Sequence, residues 1–168
     1  MSEHKTRDAL LVFKREELLY DIKSICYLEG EMMSEDIETR HQIMDVADFG
    51  NENRVARVLN LAHSECIEML YPYSKRMVAE QAVTDDLSAP QLYDIRLFLP
   101  ETFSQTTLDV IHRLMHEYMV NSVVSDWLSI TKPDSQITWE SKKIMARDKI
   151  KTLLMSRINK VRRRLKPF

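Results

Sequence analysis

Glycine is nearly missing from this chain: 168 residues contain two, Gly30 and Gly50. Phosphate-cradling loops such as G-x-x-x-x-G-K-[ST] and G-x-G-x-x-G are therefore absent, and a doubly wound nucleotide-binding sheet is disfavoured because its turns need glycine. No run of about 18 apolar residues occurs, so no segment is long enough to cross a bilayer as a helix. The first residues, Met1-Ser-Glu-His-Lys-Thr-Arg-Asp8, lack the apolar core of a signal peptide. The expectation is a protein of the cytoplasm, or one assembled from it. Cysteine is scarce as well. Cys26 and Cys66 are the whole complement, and in a reducing compartment both are expected as buried free thiols.

What is present is charge, at 30% of residues, unevenly placed. From Glu140 to Phe168 there are 11 Lys and Arg against 2 acids; the preceding 139 residues carry 13 basic and 24 acidic side chains. A formal net charge of −2 thus hides a basic end of +9 on a body of −11. Lys and Arg suit the negative end of a helix dipole, which accounts for a few of these charges. It does not account for Arg157, Lys160, Arg162, Arg163, Arg164 and Lys166 with no intervening acid. Such a block meets something negative, either nucleic acid or the acidic surface of a protein.

Apolar spacing predicts helices through most of the chain. Leu18, Leu19, Ile22, Ile25, Cys26 and Met33 form a stripe over Arg15–Met33. A second helix runs from a Ser34 cap to about Asp48, where Gly50 is expected to supply a left-handed stop. Asn51 or Asn53 caps a third, striped by Val55, Val58, Leu59, Ala62, Cys66, Met69 and Leu70 and closed by Pro72. The strongest helix starts at a Thr102 or Ser104 cap and carries Leu108, Ile111, Leu114, Met115, Tyr118, Met119, Val123, Trp127 and Leu128 to about Ile130. Lys132-Pro133-Asp134 is read as its stop. Thr138 is read as the cap of a last helix, antiparallel to it across a connection of about six residues, with Trp127 and Trp139 placed to pack together.

Tyr73–Leu99 breaks the helical pattern. Tyr93, Ile95 and Leu97 alternate with Asp94 and Arg96 as in a strand with one wet face. Its partner is either Met77–Val83, as a hairpin, or the N-terminal run Ala9–Phe13. The fold expected is mainly α: a bundle of about five helices with a small β-hairpin or strand insertion near residues 73–99. Residues 1–156 form the body and 157–168 an extended basic C-terminal arm.

Signals for catalysis are thin. His112-x-x-x-His116 places imidazoles on one helix face, and His63-x-x-Cys66 offers two further ligands, a spacing compatible with zinc. The glutamate that a zinc protease carries beside the first histidine is replaced by Arg113. Partly exposed histidines beside a core are the simpler explanation. The acid pairs Glu16/Glu17, Glu35/Asp36 and Asp85/Asp86 lie at helix starts or in a turn, where acids need no catalytic role. Ser64, Ser122 and Ser125 sit on helices and not on a glycine elbow. Ten methionines could form an adaptable surface, but Met69, Met115 and Met119 fall on core stripes.

The stretch His116-Glu-Tyr-Met-Val-Asn-Ser-Val-Val-Ser-Asp-Trp-Leu-Ser-Ile-Thr-Lys-Pro133, then a long helix and the ending Lys160-Val-Arg-Arg-Arg-Leu-Lys-Pro-Phe168, resembles small virion proteins of tailed phages and prophages. The plan is similar to that of the head–tail connector (adaptor) family, chiefly over residues 100–168. The resemblance implies a non-enzymatic subunit without cofactors or catalytic residues. It implies a homo-oligomeric ring whose arms reach the portal, other neck or tail proteins, or a neighbouring subunit. It implies a virion location after assembly in the host cytoplasm, no membrane contact, and sequence-independent contact with DNA in the channel. The arm residues carrying that role would be Arg157, Lys160, Arg162, Arg163, Arg164 and Lys166, with Pro167 and Phe168 as a terminal anchor. The alternatives are a helical nucleic-acid-binding or regulatory protein using the same arm, and an enzyme with a metal site at His112/His116.

Overall fold

The structure is a computed structural model that describes residues 6–32, 36–71, 73–74 and 89–157. It is mainly helical, with a two-stranded antiparallel sheet. Strand β1 (Thr6–Lys14) runs directly into α1 (Arg15–Glu31). Then come α2 (Ile37–Met44), a 3₁₀ turn (Asp45–Ala47), α3 (Glu52–Met69), β2 (Leu92–Pro100), α4 (Gln105–Thr131) and α5 (Pro133–Arg157).

The strand pairing settles which of the two expected partners β2 takes. It pairs with the N-terminal run, with Phe13 opposite Tyr93, Leu11 opposite Ile95 and Ala9 opposite Leu97. Side chains alternate across a strand, so this register places all six on one face. Phe13, Leu11, Tyr93, Ile95 and Leu97 are buried there, while Leu10, Val12, Asp94 and Arg96 face out. The other candidate partner, Met77–Val83, lies outside the described residues.

Helix α4 is the spine. Eight successive residues, Tyr118 to Ser125, are all buried, which happens to a helix only when it is covered on every side. Helices α1, α2, α3 and α5 all pack on it. At 1.5 Å per residue it spans about 40 Å. Ser104, one of the two expected caps, accepts from the Thr107 amide. On α3 the expected stripe is buried at Val55, Leu59, Ala62, Cys66 and Leu70, with Val58 and Met69 partly covered. On α1 it is buried at Leu18, Ile22 and Cys26. Gly30 follows on the same face because α2 comes too close for a side chain: a Cβ there would stand 3.1 Å from Met44 and 3.2 Å from the Arg40 carbonyl oxygen.

Several local expectations are corrected. Asp36 and not Ser34 caps α2, accepting from the Glu38 amide at 3.1 Å and from the Thr39 hydroxyl; a carboxylate at that position also meets the positive end of the helix dipole. Gly50 does not adopt a left-handed backbone. It lies in a turn closed by the Asn51 amide donating to the Asp48 carbonyl at 2.8 Å, and the Asn51 side chain ties this turn to the preceding 3₁₀ turn by donating to the Asp45 carbonyl at 2.8 Å. Asn51 precedes α3 but its side chain is spent on that turn and caps nothing. Pro133 does not leave a six-residue connection behind it. It is the first residue of α5, and Thr138 lies inside the helix. Proline suits that position because its fixed φ is helical and its missing N–H would have no intrahelical partner there. Lys132 alone joins the two helices, in an extended φ of −151°, as a residue before proline prefers.

Helices α4 and α5 are antiparallel neighbours, with Ser125 beside Glu140 near the closed end and Val110 and Leu114 beside Leu153 near the open end. The tryptophans do not pair. Trp127 donates to the Ile43 carbonyl of α2 at 2.9 Å, and Trp139 to Glu29 of α1 at 2.9 Å. No helix among the described residues is long and apolar enough to cross a membrane.

Candidate functional site

At the closed end of the α4–α5 hairpin, polar groups gather on Glu29. Glu29 accepts from Lys132 at 3.0 Å and from Trp139, and both members of the Glu29–Lys132 ion pair keep only 18% of their side-chain surface. Burial alone would raise the Glu29 carboxyl. The donors Trp139, Lys132 and Ser135 outweigh it and hold the group below the usual carboxylate range.

Between α3, α4 and α5 lies a cleft of about 310 Å³ lined by Glu65, Asp126 and Glu140 together with Ser122, Ser125 and Ser129. Every acid in it is compensated. Tyr118 donates to Glu65 at 2.6 Å, Arg54 grips Asp126 with two bonds of 2.8 and 3.1 Å, and Lys143 pairs with Glu140 at 2.9 Å. Burial opposes ionisation of Glu140, but hydrogen bonds from Lys143 and Ser125 prevail and its pKa is lowered. Ser122 donates back to the Tyr118 carbonyl and Ser125 to Glu140. Neither hydroxyl meets an imidazole, so neither has the base that activates a serine nucleophile.

The histidines are held apart by the fold. His112 stacks on Phe13 with ring centroids 4.5 Å apart and bonds the Val12 carbonyl at 2.9 Å. His116, one turn on, pairs with Asp21 at 2.7 Å. His63 bonds the Asp94 carbonyl at 2.9 Å. Val12 and Asp94 are directly opposite in the sheet. The imidazoles of α4 and α3 therefore cap the outer edges of one cross-strand pair, β1 from one side and β2 from the other, where backbone acceptors would otherwise be unpaired. Among the described residues no group of three or more His, Cys, Asp or Glu is placed to hold a metal. Cys26 and Cys66 are free and buried. Burial pushes the Cys26 thiol up to about 12 and the Cys66 thiol up as well, so both are poor nucleophiles.

At the open end the hairpin is different. Val110 and Leu114 of α4 and Met145, Thr152 and Leu153 of α5 line an apolar groove of about 610 Å³, with Asp148 and Lys149 at its rim. Helix α5 buries Ala146, Ile150 and Leu154 yet leaves Ile137, Ile144, Met145 and Met155 exposed, which is more hydrocarbon than its packing uses. Of the basic residues read from sequence, Arg157 is the last of α5, and the open end of the hairpin is where the basic run begins. The side chain of Arg157 and all of Lys160, Arg162, Arg163, Arg164, Lys166, Pro167 and Phe168 lie outside the described residues.

No family model, curated protein or solved structure matches this chain.

Two exposed apolar surfaces of the molecule are not evident from its sequence. One is the groove. The other is the outer face of α1, where Tyr20, Tyr27, Leu28 and Met32 are 72%, 55%, 60% and 80% exposed. On α1 the signal was apolar residues off the core stripe; in the groove only Val110 and Met145 lie off it, while Leu114 falls on the expected α4 stripe. Sequence could not tell whether a second helix covered them.

Proposed function

We propose that this chain is a non-enzymatic virion assembly subunit of the head–tail connector type, which forms a ring and docks by its basic C-terminal run. The observation that carries this reading is the charge split. A run of six cations starts where α5 ends, on a chain whose first 139 residues are strongly acidic. Such a chain repels polyanions with its net-acidic body and carries net positive charge only at one end, which suits protein contact better than nucleic-acid binding by the whole domain. The rigid α4–α5 hairpin gives that run a fixed origin. In the cleft the acids are already engaged by Tyr118, Arg54 and Lys143, and among the described residues no group of three or more His, Cys, Asp or Glu is placed to hold a metal.

The partners proposed are the portal or another neck or tail protein and further copies of this chain, with backbone-only contact to DNA passing through the ring. Truncation before Arg157 tests it. The truncated protein is expected to keep its helical circular dichroism and to lose attachment to portal-bearing particles. A truncated form that still attaches and yields infectious particles overturns the docking role. Duplex binding by the intact monomer that weakens steeply between two salt concentrations would instead favour a nucleic-acid-binding protein.

A further inference from the structure

The two outer edges of the sheet are finished differently. Asp8, Leu10 and Val12 of β1 stand opposite Phe98, Arg96 and Asp94 of β2. The Phe98 amide donates away from β1, to the Tyr73 carbonyl at 3.0 Å, and the Val12 and Asp94 carbonyls are taken from outside by His112 and His63. These are therefore the non-hydrogen-bonded pairs of the ladder, whose main-chain groups point outward on both strands. On β2 the outward groups are engaged at Asp94 and at Phe98. On β1 the Val12 carbonyl is engaged, but among the described residues the outward N–H and C=O of Asp8 and Leu10 meet no partner. A cavity of about 310 Å³ separates Leu10, Leu11 and Val12 from Gln105, Asp109 and Arg113 of α4, so the described chain supplies no third strand there. An open edge of this kind is a template for another extended main chain.

The side chains select which one. On the solvent face of β1, Asp8, Leu10, Val12 and Lys14 follow in a row, all exposed, Leu10 by 54% and Val12 by 37%. An acid stands at one end, a base at the other, and hydrocarbon between them. Such a row is complementary to itself when reversed. Lys14 is held only by Glu17, in a pair whose side chains keep 62% and 59% of their surface, and exposed pairs of that kind contribute little.

We propose that β1 pairs antiparallel with β1 of a second copy, about a two-fold axis at Leu10, so that two chains share one four-stranded sheet. Leu10 exchanges both main-chain hydrogen bonds with its counterpart. Each Val12 N–H reaches the Asp8 carbonyl of the other copy, while the Val12 carbonyl stays with His112. Leu10 lies against Leu10, and Asp8 falls diagonal to Lys14 of the other copy, a spacing that long side chains bridge. A parallel arrangement would instead set Asp8 beside Asp8 and Lys14 beside Lys14. The contact is isologous. It uses a surface separate from the C-terminal run and does not rest on the connector reading.

The test is sedimentation velocity of the full-length chain over a concentration series, with variants along the row. The intact chain is expected to dimerise, and hydrogen exchange at the Leu10 and Val12 amides should slow as the dimer fills. Asp8→Lys and Lys14→Glu each set like charges against one another across the axis, and each alone should weaken the dimer by about tenfold. An equimolar mixture of the two should dimerise like the intact chain, because every cation of one variant then meets an acid of the other. Leu10→Pro removes an outward N–H that takes no part in the β1–β2 ladder, a place where an edge strand accepts proline. It should abolish the dimer while the circular dichroism stays that of the intact chain. If Leu10→Pro does not fold, the charge mixture decides alone. A chain that stays monomeric throughout, a mixture no better than its components, or a folded Leu10→Pro variant that dimerises unchanged overturns the pairing. So does an assembly that none of the three variants disturbs, which would put self-association on another surface and leave this edge to water.

Discussion

At the closed end of the α4–α5 hairpin, Glu29 gathers Lys132 and Trp139 while Trp127 reaches across to α2. At the open end, Met145 and Met155 of the same helix project into water beside an apolar groove. One helix therefore does two jobs along its length. Near the corner its polar groups are paired with groups far away in sequence, and removing one leaves a buried partner unsatisfied. Near the open end Met145 and Met155 lack that coverage, and removing either should cost the isolated molecule little. The closed end is held by polar pairs, whereas toward the open end Met145 and Met155 stay in water beside the buried Ile150 and Leu154.

The largest effect is expected from removing the buried tryptophan of the closed end. Trp127→Ala removes a buried indole and its bond to the Ile43 carbonyl. Substitutions of this kind cost about 3–5 kcal/mol, read as a shift of the urea midpoint. A loss below about 1 kcal/mol would mean that the corner does not hold α2 to α4.

Glu29→Ala comes next. It leaves Lys132 and Trp139 without their acceptor, at a cost of about 2–3 kcal/mol. The pH dependence has a definite sign. The Glu29 pKa is lowered on folding, so its contribution is complete above the ordinary glutamate value of about 4.3 and is lost as pH falls through the lower folded value. The intact protein should weaken through that acid window, and Glu29→Gln should show less of the decline. An identical acid profile for both would place the acid-sensitive contact elsewhere.

Much of the fold was legible in the sequence because the signals were local. The stripe of Val55, Leu59, Ala62 and Cys66 and the alternation of Tyr93, Ile95 and Leu97 each need only a few neighbouring residues to be read, and the structure buries both sets. The Lys132-Pro133 corner was not legible. Proline stops a helix and starts one with equal ease, and what decides here is Glu29, 103 residues away. Gly50 does sit in a turn, but one closed by the Asn51 amide on the Asp48 carbonyl and by the Asn51 side chain on Asp45, which needs no left-handed glycine. The sheet partner was left between two choices because strand register is a long-range property, set here by Phe13 meeting Tyr93. The groove was only partly visible: Val110 and Met145 lie off the core stripes, Leu114 lies on one, and nothing local says which face of α5 the spine covers.

The smallest effect sharpens the comparison most. Met155 is 69% exposed, one residue beyond the buried Leu154. Met155→Ser is expected to change unfolding free energy by no more than about 0.5 kcal/mol, the range of ordinary surface substitutions. If the open end is a contact surface, the same change should weaken assembly by a clearly measurable factor, because exposed hydrocarbon contributes only when a partner removes it from water. Stability and assembly then move independently at this end and together at the corner, where loss of Trp127 unfolds the body that assembly requires. A Met155→Ser variant that loses more than about 1 kcal/mol of stability would break the distinction. It would mean that this methionine already has its partner within the chain, and that the open end, like the closed one, is held by folding.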